Sequence, residues 1–358
     1  MEYFYFFQKL MFKKKRSITL DNFIEYCLYD KKNGYYMTKN PFGITGDFIT
    51  APNISRLFSE MIAIWAIDFW ENLGCPKKFN LIELGAGNGE MMKIMIESFK
   101  RFPAFLNCCK IIIHEKSPKL IKTQKDKIQY KNVEWIKNFK SLNKLPSIFL
   151  ANEFFDAIPI KQFTKEKKIW YERLVKSSKN NLIFDKKKIN IKKLENKTNF
   201  KFFKNQNFIE YSPKGIKYLK DIMKFIDRYK GGLLIIDYGY YKKKFQNTLK
   251  AIYNKKHSNL LENIGKSDIT HNINYHLFDK IVKSNKNLNN KYTTQKKFLT
   301  NLGIFQRAEI LCKNKKFSEK ADIFYRIKRL TDDEQMGDLF KVMLIKNSSI
   351  KSQLGFEN

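Results

Sequence analysis

The chain has 358 residues, is 43% hydrophobic and 15% aromatic, and carries a formal net charge of +34. That apolar content sustains a packed core and excludes a disordered chain. No uninterrupted apolar run reaches the roughly 20 residues of a membrane-spanning helix.

Residues 1–12 are aromatic and are followed by Lys13-Lys14-Lys15-Arg16. This reverses the order of a secretory signal and lacks the Arg- and Ser-rich character of an organelle transit peptide. Residues 17–30 predict an amphipathic helix, closed near Gly34. A glycine-punctuated aromatic loop through Pro52 is unusual for a mere linker. A long helix is expected from about Ser55, with Phe58, Met61, Ile62, Trp65 and Phe69 on one apolar stripe, ending near Gly74.

Alternating strands and helices follow. Strands are predicted at 79–84, 110–115, 133–136 and 147–151, with helices through about Arg101 and from about Pro118. This alternation predicts an α/β Rossmann-like doubly wound sheet, mostly parallel with right-handed crossovers. From about 161 to 210 the pattern shifts to short strands between Lys/Asn turns, an inserted, partly antiparallel subdomain. Ser212-Pro213 opens a helix to about Tyr229. Residues 233–240 predict a buried strand with an acid, Asp237, towards its end. Helices are expected around 274–283 and 293–302, the latter capped by Thr293 or Thr294 and closed by Gly303, and an antiparallel strand at 341–345. The expected division is 1–78 (N-terminal helical segment and covering loop), 79–160 (βα core), 161–211 (insertion) and 212–358 (remaining core with helical elaboration).

The most informative stretch is Glu83-Leu84-Gly85-Ala86-Gly87-Asn88-Gly89, after an apolar strand and before a helix. Such glycines let the chain turn sharply and let a ligand lie against bare peptide N–H groups. Glu90 stands where a dinucleotide fingerprint wants its last glycine, so the shorter form suits a nucleoside ligand without a pyrophosphate, such as S-adenosylmethionine. Glu115, at the end of the next strand, is placed to accept ribose hydroxyls. Asn152, Glu153 and Asp156 follow the fourth strand. An amide and two acids there could grip a guanidinium and take up a proton. Asp237 completes four strand ends on one rim of the sheet. The loop from Gly46 to Thr50, with Asp47, could fold over the cofactor. His114 is expected to pack at a strand end, and neither it, His271 nor His276 has metal-ligand company, so no metal is expected.

Five cysteines without metal spacing argue for reduced thiols in a cytosol-like compartment. The lysines are scattered along the chain rather than gathered in one arm. The charge therefore reads first as a solvated coat, with an RNA-binding face second. An acidic membrane surface or an acidic protein partner is also compatible with it, and the oligomeric state is left open.

Gly34-Tyr35-Tyr36, Pro41-Phe42-Gly43, Gly46-Asp47-Phe48-Ile49-Thr50-Ala51-Pro52, the glycine loop, Glu115-Lys116-Ser117-Pro118, Asn152 through Pro159 and Asp237-Tyr238-Gly239 resemble, in order and spacing, the MidA family. The C-terminal run 329–341 is similar to that family's ending, so the resemblance covers nearly the whole chain. It implies a class I S-adenosylmethionine-dependent methyltransferase whose mitochondrial relatives methylate an arginine of a respiratory complex I subunit during assembly. It implies cofactor binding by Glu83, Gly85, Gly87, Gly89, Glu115, Gly46, Asp47 and Thr50, and a methyl-transfer site at Asn152, Glu153, Asp156 and Asp47. The implied compartment is the bacterial cytoplasm, or the mitochondrial matrix in a eukaryote. Three departures stand out. Ser59 replaces a glycine, Asn53 replaces an acid, and the family's histidine is displaced by one position at His271, followed by Asn274 in place of an acid. Methylation of RNA or a small molecule, and a non-catalytic assembly chaperone retaining the cofactor fold, remain as alternatives.

Overall fold

Strand β1 (Phe79–Leu84) is buried at all six positions, as befits a parallel strand covered on both faces. In the computed structural model, which describes residues 17–39, 41, 50–178, 181–198, 201–202 and 205–357, β1 lies in the middle of a large sheet. Its companions are β2 (Cys109–His114), β3 (Val133–Ile136), β4 (Ser147–Asn152), β5 (Gly231–Tyr240), β6 (Leu288–Thr294) and β7 (Phe340–Asn347). They run in the order β3-β2-β1-β4-β5-β7-β6. Strands β1 to β5 pair in parallel, and β7 runs antiparallel to both β5 and β6. The expected doubly wound sheet and its antiparallel final strand are therefore both present.

The strand order reverses between β1 and β4. One crossover leaves β1 towards β2, while β4 leads towards β5, so their carboxyl ends open a crevice suited to a ligand. The helix Arg56–Asn72 packs against this sheet. Ser55 caps it by accepting from the Leu57 N–H at 3.3 Å. A Cβ on Gly232 would come within 2.5 Å of the Phe69 ring, so the second residue of β5 has to be glycine for that helix to approach.

The chain divides into two compact units. The described residues within 40–154, 221–240 and 282–358 form the sheet unit. Those within 17–39, 155–220 and 241–281 form the second. There the strand Ile169–Ser178 pairs with Ser17–Thr19, Lys161–Glu166 and Asn181–Ile189, all antiparallel. Phe208–Tyr211 adds to Lys161–Glu166. The insertion is antiparallel as expected, with a helix, Ile191–Thr198, inside it. A three-stranded sheet of Lys250–Tyr253, Lys256–Ser258 and Asp268–Thr270 was not legible in the sequence.

The helix expected at 293–302 with Thr293 or Thr294 as its cap begins at Gln295, and Thr294 caps it by accepting from the Lys297 N–H, while Tyr292, Thr293 and Thr294 continue β6 beside β7, where β-branched and aromatic side chains fit. One local expectation needs correcting. Residues 17–19 form a strand before the first helix, Leu20–Tyr29, since they pair with Leu174, Val175 and Lys176.

Candidate functional site

Gly85, Gly87 and Gly89 all adopt positive φ (+67°, +52° and +81°), the left-handed region where a Cβ is penalised. The Gly85 N–H donates to the His114 carbonyl at 2.9 Å, carrying the β1–β2 pairing one residue further. The Gly89 N–H then closes a turn on the Ala86 carbonyl at 2.7 Å. The helix Glu90–Phe99 starts immediately after, and the Oδ1 of Asn88 accepts from the Glu90 N–H at 3.2 Å.

Two side chains that sequence reasoning passed over fix this turn. Gln124, fully buried on the helix Pro118–Lys127, donates its Nε2 to the Gly87 carbonyl at 2.9 Å and to Glu115 Oε2 at 3.2 Å. Its own oxygen accepts from the Trp135 indole at 3.0 Å. Its one sequence signal is a polar residue four positions after Leu120, on the buried face of a lysine-rich helix. Asn88 donates to Asn53 Oδ1 at 2.9 Å, and Asn53 donates to Thr50 Oγ1 at 2.8 Å. Asn53 thus acts as an acceptor, the part an acid would also play. The chain leaving the glycine-punctuated loop is thereby tied to the glycine turn. Gly46, Asp47 and the rest of 42–49 lie outside the described residues.

Of the predicted carboxylates, Glu83, Glu115 and Glu153 lie at or just past the carboxyl ends of β1, β2 and β4. Glu115 follows β2, one residue beyond its end, and its Oε1 accepts from the Lys116 and Ser117 N–H groups at 2.7 and 2.9 Å. With Gln124 on Oε2, described residues fill three of roughly four acceptor sites. Burial raises its pKa, and the Ser117, Lys116 and Gln124 hydrogen bonds counter that rise. Glu83, on β1, is 3% exposed, and its Oε2 has no hydrogen-bond partner among the described residues. Burial, and then the nearby Glu115 charge, push it up to about 8. A buried carboxyl that no described residue satisfies is costly, and water or a ligand could satisfy it.

Glu83 and Leu150 are register partners on β1 and β4, and Asn152 ends β4. The Oδ1 of Asn152 is also buried without a hydrogen-bond partner among the described residues. Its Nδ2 donates to Glu153 Oε1 at 3.4 Å, as does the Ala51 N–H at the same distance. Glu153 itself has φ +49°, an uncommon and strained conformation for a side-chain-bearing residue. Its N–H donates to the Ile236 carbonyl at 2.9 Å. Asp237 Oδ2 accepts from the Phe154 N–H at 3.2 Å, which anchors the same turn from β5. A Cβ on Gly85 would meet the Phe154 ring at 3.0 Å. His114 packs its ring 5.1 Å from Phe139 and 6.2 Å from Phe154. Burial first, then Lys116, lower it to about 4, so it is neutral at pH 7. Ser59 is fully buried within the helix Arg56–Asn72.

Asp156 belongs to the second unit. Its Oδ2 accepts from the Thr270 hydroxyl at 2.9 Å and its carbonyl from the His271 N–H at 3.2 Å. Burial raises it to about 6, with the Thr270 hydrogen bond and Lys250 pulling the other way. The His271 Nε2 lies 3.1 Å from the Ile158 carbonyl, and burial lowers this ring to about 4. The displaced histidine therefore buttresses the Asp156 turn as a neutral group. Tyr36 donates to Asp268 at 2.7 Å in the same unit. Among the described residues, no group of histidines, cysteines and acids could hold a metal, and all five cysteines are free.

The family profile of S-adenosyl-L-methionine-dependent methyltransferases matches residues 61–294. Among curated proteins, the chain is similar to the mitochondrial protein arginine methyltransferase NDUFAF7 of Xenopus tropicalis, at 28% identity over 96% of this chain and 86% of that one. It is also similar to the human protein of that name, at 26% identity over 92% and 81%. Among solved structures, it resembles a Burkholderia thailandensis protein crystallised with S-adenosyl-homocysteine. That match has a TM-score of 0.83 and 20% identity, covering 98% of this chain and 93% of that one. At that identity the likeness speaks for the fold.

Proposed function

The chain belongs to the S-adenosyl-L-methionine-dependent methyltransferase family, and from that premise we propose that it methylates arginine side chains of a protein, with a respiratory complex I subunit as its target. The observation that carries the reading is the Asn152–Glu153 corner. A carboxylate and an amide oxygen that no described residue satisfies sit together at the switch point of the sheet, on a turn held in a strained conformation. The arginine preference is also supported by the names of the curated relatives. The complex I assignment rests on the MidA resemblance, and with it the compartment, bacterial cytoplasm or mitochondrial matrix.

The residues present fit the cofactor. Glu83 Oε2, without a hydrogen-bond partner among the described residues, is an acceptor suited to an ammonium group. Glu115 has an acceptor site that the described residues do not fill, suited to a ribose hydroxyl. The left-handed glycine turn lies just before the start of the helix Glu90–Phe99 and carries no side chain at Gly85, Gly87 or Gly89, so a ligand can approach its backbone closely. When bound, S-adenosylmethionine supplies an electrophilic methyl carbon on a sulfonium. In this reading Glu153 and Asn152 Oδ1 accept guanidinium N–H bonds, which orients one nitrogen and raises its electron density. The Glu153 carboxylate then takes the proton that the methylated nitrogen releases. Positioning supplies much of the rate, since transfer from a sulfonium needs little covalent help.

The test is transfer of a labelled methyl group to purified complex I subunits, to total RNA and to small-molecule extracts, followed by mass spectrometry of the labelled species. Gly87→Val, which forces a β-branched side chain into a left-handed turn, serves as the cofactor-null control. Label on RNA and none on protein would overturn the proposal. So would restoration of complex I by Gly87→Val, which would favour the chaperone reading.

A further inference from the structure

The helices Ile304–Cys312 and Phe317–Thr331 pack together in the sheet unit. Ile327 and Leu330 of the second helix join the core, and Ile323 packs against it. The opposite face is not polar. Phe317, Ala321, Phe324 and Tyr325 fall at i, i+4, i+7 and i+8, one stripe along the helix. Phe317 is 86% exposed and Tyr325 63%, with Phe324 at 41%. On the preceding helix Ile310 is 56% exposed. No folding requirement places three aromatic rings outward on one stripe, so this face is shaped for something other than its own core.

The charge around the stripe says what that something is. The connection and first turn carry Lys313, Lys315, Lys316 and Lys320 against a single acid, Glu319, which pairs with Lys315 at 3.0 Å. Asp322 is likewise paired, with Arg326 at 2.7 Å, and Lys328 extends the stripe's basic margin. A second copy would bring these lysines against their equivalents, on a chain already at +34, so self-association through this face is opposed by charge. The stripe lies on the outward side of one helix, with its most exposed ring at the helix start. A wedge of aromatics bordered by lysines matches the boundary between acyl chains and anionic headgroups, where rings sink in and ammonium groups stay at the headgroup level.

We propose that the tip of this helix pair is a peripheral docking element that seats Phe317, Phe324 and Tyr325 in an anionic lipid surface. The site adds a location to the enzyme, independent of which substrate it methylates. It also accounts for part of a positive charge that the methyl-transfer site does not use.

The experiment is co-sedimentation of the full chain with phosphatidylcholine vesicles, with and without phosphatidylglycerol. Binding is expected only with the anionic lipid and is expected to weaken with salt. The double substitution Phe317→Ser/Phe324→Ser changes exposed positions and no charge. It should weaken binding to anionic vesicles at least about tenfold while leaving the circular dichroism melting curve in place. Lys313→Gln/Lys316→Gln/Lys320→Gln should abolish the anionic preference. In the variant Phe317→Trp, the added indole emission should shift to the blue with anionic vesicles. Absence of vesicle binding, equal binding by the double serine variant, or an unshifted indole would overturn the proposal. A dimer in light scattering that dissolves on the serine substitutions would overturn it as well, by assigning the face to a second copy.

Discussion

Gln124 and Glu115 are joined by a hydrogen bond of 3.2 Å from Nε2 to Oε2, and the same nitrogen holds the Gly87 carbonyl at 2.9 Å. One amide thus couples the acid proposed for the ribose to the turn proposed for the rest of the cofactor. Gln124→Leu keeps the volume and removes both of these bonds, together with the one the Trp135 indole donates to the amide oxygen. Each is worth about 1 kcal/mol, and more where the acceptor is charged, so cofactor affinity should fall about tenfold to a hundredfold. Calorimetric titration with S-adenosylmethionine reads this. With cofactor saturating, turnover should stay within a few-fold of the parent's, because Gln124 is assigned no part in the methyl transfer.

Glu83 makes the unliganded protein sensitive to pH. Its carboxyl rises from an ordinary 4.5 to about 8 in the folded chain. Between those values the folded state holds a proton that the unfolded state has released, so the contribution of this residue to stability falls as pH rises through that window. The slope is about 1.36 kcal/mol per pH unit. Glu83→Gln should therefore gain stability over the parent progressively from pH 4.5 to about 8 in urea unfolding, while losing cofactor affinity. If both proteins unfold with parallel pH profiles, the buried acid is not protonated as described.

Glu153 separates chemistry from backbone strain. Glu153→Gln keeps the side-chain shape and removes the base, so kcat should fall about a hundredfold or more with little change in cofactor affinity. Glu153→Gly removes the base and relaxes a φ of +49°, and should be about 1–2 kcal/mol more stable than Glu153→Ala. Equal thermal stability of the glycine and alanine variants would refute the strain, and full turnover by the glutamine variant would remove Glu153 from the reaction.

Thr270 donates to Asp156 at 2.9 Å and holds that acid below the value burial alone would give. Thr270→Val conserves shape and deletes the donor, so the Asp156 pKa should rise from about 6. If Asp156 works ionised, the acidic limb of the pH–rate profile moves to higher pH, with a several-fold loss at the low end and little change near about pH 8. A uniform loss at every pH would assign Thr270 a structural role only.

The glycine turn was legible because a strand, three alternating glycines and a helical run leave few other conformations. Its supports were not. Gln124 sits among lysines, Asn53 looked like a departure from the family pattern, and Asn88 was assigned no part within the glycine stretch. Each acquires its role from a partner 35 or more residues away. The lipid-facing stripe was missed for a different reason. Residues 304–331 were not read as helices, and outward aromatics cannot be told from core aromatics until the packed face is known.

Local order alone determined the alternation of β and α elements, the position of the sheet's crevice and the acids that follow its strands, because hydrophobic period and turn chemistry act within a few residues. Tertiary structure alone decided which oxygens remain unsatisfied, which carboxyls burial forces upward and which rings stay outside. Those outcomes depend on neighbours that are distant in sequence and meet only when the chain packs.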